Sequence, residues 1–184
     1  MKHLLKLTVL SVLLLSLTAC PKKKEDDNTT TLLLLLSMQQ QQAASTEASK
    51  TAALAQHPGC TKLNTASTTS QTLQSVLYQT QTTDYKANIK ASLSAGQKLV
   101  ITATKGTLPA LGTSFGSNIS VYSSDSCDTA DFTNQTYSSS ITLSSNSSDR
   151  TKMEIIAKVN ISYTYEFSVT DVVTAGGVIT YQIQ

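Results

Sequence analysis

Nucleophilic catalysis of the Ser–His–Asp or Cys–His kind needs an imidazole within reach of the nucleophile. The chain has two histidines, and only His57, beside Pro58, lies beyond residue 19. Any such arrangement would have to use it, and zinc sites built from several His or Cys are excluded by count. Asp125, Asp128 and Asp131 fall at i, i+3 and i+6 in Asp-Ser-Cys-Asp-Thr-Ala-Asp. Clustered loop carboxylates can hold Ca²⁺, which takes about 6–8 oxygen ligands, but the spacing is not that of an EF-hand. A solvated acidic turn is the better reading. Lys–Ser dyads and carboxylate pairs could be drawn throughout so Ser-, Lys- and Asp-rich a chain, and no spacing selects one. Tyr163 and Tyr165 suit a core or its edge better than chemistry. The residues point to a non-enzymatic protein with no cofactor.

The N-terminus has the layout of an export signal. Lys2 and Lys6 precede an apolar run, Leu7 to Leu17, too short for a spanning helix of about 20 residues. The run ends in Leu17-Thr18-Ala19-Cys20, which resembles a bacterial lipobox. The resemblance implies removal of residues 1–19 and a diacylglycerol on Cys20, usually with acylation of the new amino group. Cys20 would carry the only non-protein group. Two or more acyl chains hold a protein stably in a bilayer. Pro21 stands where enteric lipoproteins of the inner membrane tend to have Asp, which favours an outer membrane. The Leu-rich signal and charged tether resemble spirochaete surface lipoproteins, so a cell-surface position is expected, with a periplasm-facing one as the alternative.

Loss of Lys2 and Lys6 leaves 12 basic against 12 acidic residues. No basic field remains to bind phosphates, so no nucleic-acid partner is expected. Abundant Ser and Thr without Trp fit a hydrophilic β-protein outside the cytoplasm. Cys60 and Cys127 are the thiols left after lipidation, and in an oxidising envelope they most simply form one disulfide. Two buried thiols, or a reactive one, are the alternatives.

Residues 20–59 read as a tether. Lys22-Lys23-Lys24 could lie on anionic headgroups, but Glu25-Asp26-Asp27 nearly cancels them. Leu32–Leu36, Met38 and Gln39–Gln42 follow, and the 32–56 stretch lacks Gly and Pro. It can form a helix that His57-Pro58-Gly59 ends, or a disordered stalk. The five leucines lack a heptad repeat, so a coiled-coil seam is weakly indicated.

From residue 60 to 184 the period changes to two. Tyr85, Ala87, Ile89, Ala91 and Leu93 alternate with Lys86, Asn88, Lys90 and Ser92, as in a half-buried strand. Similar strands are expected over Lys98–Thr104, Asn118–Ser123, Tyr137–Leu143, Met153–Val159 and Ile161–Val169. Another lies around Leu73–Tyr78, and residues 105–117 read as a long loop. Gly176-Gly177 predicts a hairpin between Val172–Ala175 and Val178–Ile183. Together these are about eight short strands, an all-β antiparallel sandwich or jelly roll. Its core would draw on Leu73, Leu77, Ile89, Leu93, Leu99, Ile101, Ile119, Val121, Ile141, Leu143, Ile155, Val159, Tyr165 and Phe167.

The segment from Ser75 to Val172 resembles the bacterial pre-peptidase C-terminal domain. The residues that carry it are Asp84-Tyr85 with the strand to Leu93, Ser94-Ala95-Gly96-Gln97 before Leu99-Val100-Ile101, and Met153–Val159 ahead of Tyr163-Thr164-Tyr165-Glu166-Phe167. Where that family has a Gly-x-Tyr-Tyr lead, this chain has Arg150-Thr151-Lys152-Met153. The resemblance implies a jelly-roll-like accessory module without catalytic residues. The expected function is display of a β-sandwich for binding or adhesion to a glycan, matrix protein or envelope protein. A structural or assembly role facing the periplasm comes second, and a hydrolase last.

Overall fold

The computed structural model describes residues 27–78, 84–110, 119–136, 138–145 and 148–184. The signal, Cys20 and Lys22–Asp26 lie outside the described residues, as do 111–118, which the expected 105–117 loop overlaps. Two compact units divide the chain, Met1–Ala44 and Ser45–Gln184.

Helix α1 runs from Asp27 to Gln56. It is unbroken because its Leu, Gln, Ala and Met residues are strong helix formers. Leu32–Leu36 are 51–66% exposed, so their side chains gain little from burial. No helix among the described residues is long and apolar enough to cross a membrane. At Pro58 the missing amide hydrogen ends the ladder, and Pro58–Lys62 forms a 3₁₀ turn.

The chain then builds ten strands: β1 (Asn64–Thr65), β2 (Gln71–Thr72), β3 (Val76–Leu77), β4 (Tyr85–Leu93), β5 (Lys98–Ala103), β6 (Ile119–Ser123), β7 (Ile141–Ser145), β8 (Lys152–Ala157), β9 (Ile161–Ser168) and β10 (Ile179–Ile183). Two single helical turns, α2 (Ser126–Thr129) and α3 (Thr170–Thr174), interrupt them. The front sheet has the order β1-β4-β9-β6, with β3 also paired to β4, and the back sheet has the order β2-β10-β5-β8-β7. This is the all-β sandwich that the alternation predicts. Its pairs are antiparallel except β1 with β4. Ala87, Ile89, Ala91, Leu93, Val121, Tyr165 and Phe167 of the front sheet face Leu99, Ile101, Met153, Ile155 and Ile179 of the back sheet across one core.

Three sequence expectations change. Gly176-Gly177 is no hairpin turn but the end of α3. The Gly176 amide donates to Val173 O at 3.0 Å and the Gly177 amide to Val172 O at 2.8 Å, with Gly176 at φ +67°. That is the Schellman arrangement, which favours glycine at the left-handed position. Val172 is thereby fully buried, and β10 pairs with β5 instead. Leu77 and Val159 leave the core, at 43% and 50% exposure. Leu77 lies on the two-residue strand β3, and Val159 falls in the bend after β8 ends at Ala157. Pro58 and Gly59 are buried, so the packed region begins ahead of residue 60.

Candidate functional site

Alternation points Lys86, Asn88, Thr164, Glu166, Ser168, Ser120 and Tyr122 away from the core, on the outward face of the front sheet. Register sets Asn88, Glu166 and Ser120 side by side across β4, β9 and β6, with Thr164 beside Tyr122 one step along. This face is not bare. Asn88 and Thr164 have no exposed surface, Tyr122 has 4% and Glu166 5%.

The cover is the segment that precedes β1, together with α2. Cys60 and Cys127 are joined, with sulfurs 2.10 Å apart, which ties the 3₁₀ turn to α2 above Asn88. Asn88 Nδ2 lies 3.4 Å from Cys60 Sγ. A Cβ on Gly59 would fall 2.6 Å from Asn88 Oδ1, so only glycine allows the turn this close. Asn64 fixes the next stretch. Its Nδ2 donates to Gln74 O at 2.9 Å and Asn88 O at 3.0 Å, and its Oδ1 accepts from the Gln74 amide.

His57 belongs to this cover and not to a free stalk. Its Nδ1 donates to Glu166 Oε2 at 2.8 Å. Its ring stacks on Phe132 with centroids 3.6 Å apart and meets Tyr122 edge-on at 5.3 Å. Burial pushes the Tyr122 phenol above its ordinary range, and the Glu166 charge adds to this against a Ser120 hydrogen bond. The other oxygen of Glu166 faces Lys86 Nζ at 3.6 Å, and Lys86 also sits 4.5 Å from the centre of the Tyr78 ring.

From Glu166 the face opens into a cleft of about 460 Å³ at the end of the sandwich, where Lys86, Asp84, Ser120, Arg150, Thr170 and Asp171 are among its lining residues. Asp84 Oδ1 accepts from Ser168 Oγ at 2.9 Å and from Thr170 Oγ1 at 2.8 Å. Asp171 accepts from the Thr107 hydroxyl, which in turn accepts from Arg150 Nη2 at 3.3 Å. These groups are positioned by the front sheet, by α3 and by the loops that follow β5 and precede β8, so the cleft is a set of donors and acceptors of both charge signs held by one another.

The acidic triplet does not converge. Asp125 Oδ1 accepts from Ser123 Oγ at 2.6 Å, and Asp131 Oδ1 accepts from the Thr133 amide and hydroxyl, which holds the Asp131 carboxyl below its ordinary range. No group of three His, Cys, Asp or Glu that could hold a metal occurs among the described residues. Asp125 and Asp131 thus take their donors from within their own turns. Glu166, Lys86, Asp84, Arg150 and Asp171 were not singled out from sequence. The available signal was Glu166, the lone acid in β9, but a polar residue in an alternating strand reads as solvent-facing.

No protein-family model, curated protein or solved structure matches the chain.

Proposed function

We propose that this chain is a lipid-anchored envelope protein that presents its sandwich as a binding module, and that the end cleft receives the ligand. The observation that carries the reading is the cleft itself: Lys86, Glu166, Asp84 and Asp171 are each held by a partner before any ligand arrives. Preorganised polar groups in a concavity orient a ligand at little entropic cost. Alternating donors and acceptors suit a polyhydroxylated ligand, and so favour a glycan among the ligands considered. The Leu17–Cys20 lipobox supports attachment to the membrane through Cys20, and Pro21 supports the outer one, with the domain at the cell surface.

The test is a screen of the full-length protein in detergent micelles against immobilised glycans and matrix proteins, alongside Lys86→Ala and Asp84→Asn. The expected outcome is retention of a glycan by the wild type and at least tenfold weaker retention by both variants. Retention unchanged in both would remove the cleft from the reading. A second reading, an assembly lipoprotein facing the periplasm, is favoured by the exposed Leu32–Leu36 surface on α1. It predicts that an external protease spares the domain on intact cells and cleaves it after permeabilisation.

A further inference from the structure

Among the charged groups of the cleft, Arg150 stands apart. Lys86 has Glu166 and the Tyr78 ring, Glu166 also has His57, Asp84 has two hydroxyls, and Asp171 has Thr107. Among the described residues Arg150, only half-buried, uses one of its five N–H donors, on Thr107 at 3.3 Å. The ion pairs among the described residues do not include it. A guanidinium is a flat fork whose paired donors match a carboxylate in bidentate fashion.

The backbone gives an independent pointer. Arg150 adopts φ +52°, a left-handed conformation that is uncommon for residues with a side chain and that Asn, Asp or Gly would take more readily. The conformation is locked in place. The Leu108 amide donates to Arg150 O at 2.9 Å, and the Ala103 amide donates to Thr151 O at 2.8 Å. Backbone strain retained at a cleft wall, under a residue with spare donors, marks a site where the side chain is needed.

We infer that Arg150 is the specificity-determining residue of the cleft and that it receives the carboxylate of an acidic saccharide; this rests on the glycan-binding reading above. The remaining lining decides between anions. Asp84, Glu166 and Asp171 outnumber Lys86 and Arg150, so a phosphate monoester, with a charge of about −1.5 to −2 at neutral pH, would be repelled by the nearby carboxylates. A single carboxylate on Arg150 is tolerated, and the same acidic side chains then accept hydrogen bonds from the sugar hydroxyls. Ser120 and Thr170 add hydroxyls that both donate and accept. A uronic-acid unit meets both requirements: one carboxylate at the Arg150 end and adjacent hydroxyls toward Asp84 and Glu166.

The test uses the full-length protein in detergent micelles and pairs of oligosaccharides of the same linkage, one neutral hexose and one hexuronate, with binding measured by calorimetry. The variants are Arg150→Gln, Arg150→Lys and Arg150→Gly. The last relieves the left-handed backbone and should melt no lower than the wild type, so a change in its binding is not a folding defect. The wild type is expected to prefer the hexuronate at least tenfold. Arg150→Gln and Arg150→Gly should bind the two sugars equally, and Arg150→Lys should recover part of the preference. Equal binding of the two sugars by the wild type, or a preference that survives in Arg150→Gly, would overturn the assignment and leave glycan binding standing. Failure of the wild type to bind either sugar, or binding only to acidic peptides offered in parallel, would overturn this inference together with the glycan reading.

Discussion

On the back sheet's outward face, Lys98 and Lys152 hold Glu154 at 3.1 and 2.8 Å, and the three side chains keep 34%, 46% and 18% of their surface in water. On the front sheet's outward face, His57 and Lys86 hold Glu166 at 2.8 and 3.6 Å, and the carboxylate keeps 5%. The two arrangements are alike in composition and opposite in surroundings. The back sheet meets solvent directly. The front sheet is covered by the 3₁₀ turn, the Cys60–Cys127 bridge and α2. An ion pair in water adds little, because hydration competes with it and salt screens it. A pair under a cover is worth more to keep than to lose, since removing one partner strands the other away from water.

The sharpest way to break the contrast is to release the cover. The bridge closes a separation of 67 residues. In the chain-entropy model, a loop of that size stabilises by about 4 kcal/mol, on the order of 10 °C in Tm. A Cys60→Ser, Cys127→Ser double variant should melt lower by that amount and gain hydrogen exchange at Asn88 and Thr164, while the Ile101 and Ile155 amides of the back sheet exchange last. An unchanged Tm would mean that the cover holds without its staple. Next in size is Glu166→Gln, which keeps shape and removes charge from beneath His57 and Lys86. The expected loss is about 2 kcal/mol, in the range for a hydrogen bond to a charged group, and chemical denaturation reads it directly.

How much of this was legible follows from what a period of two can say. It identifies which residues point inward, and Ile89, Leu99, Ile101, Ile155, Tyr165 and Phe167 are indeed buried. It is silent about the other face. Lys86, Asn88 and Glu166 occupy the polar half of the pattern whether water or another chain segment lies above them. The cover comes from residues remote in sequence, and the three-residue spacing of His57 and Cys60 gave no period to detect. Two-residue strands such as β1 and β2 are equally mute, since Asn64 is held by side-chain hydrogen bonds and not by alternation. The Gly176-Gly177 pair misled because tight hairpins and helix ends both need a left-handed glycine. The choice between them was made by Val172, which a helical turn buries. The cleft, assembled from five separate stretches, has no linear signature.

Alkaline solution separates the two faces of the front sheet spectroscopically. Burial raises the phenol of Tyr165, which points into the core, and that of Tyr122, which lies under the cover, with the Tyr165 shift the larger. A phenol whose folded pKa is raised contributes its stabilisation below the ordinary value of 10.0 and loses it as pH climbs toward the folded value. Stability should therefore be flat at neutral pH and fall above that point. In an ultraviolet titration of the wild type, Tyr165 should ionise only with unfolding. In the Cys60→Ser, Cys127→Ser variant Tyr122 should titrate earlier while Tyr165 stays late. Simultaneous release of both would show that the cover and the core unfold together.

The smallest effect is expected on the open face. Lys152 and Lys98 hold the Glu154 carboxyl below its ordinary range. A carboxyl lowered in the folded state stabilises above its unfolded pKa and loses that contribution as pH falls through the folded one. The sign is thus the reverse of the tyrosines', but water reaches all three groups and leaves little to lose. Glu154→Gln should change stability by less than about 0.5 kcal/mol at neutral pH, and 1 M salt should abolish the difference. Measured beside Glu166→Gln under the same conditions, it isolates the contribution of the cover, because both substitutions remove one carboxylate from between two nitrogen-bearing partners on the outward face of a strand. Equal losses in the two variants would mean that enclosure adds nothing to the Glu166 pair, and the contrast between the faces would then be one of geometry without energetic consequence.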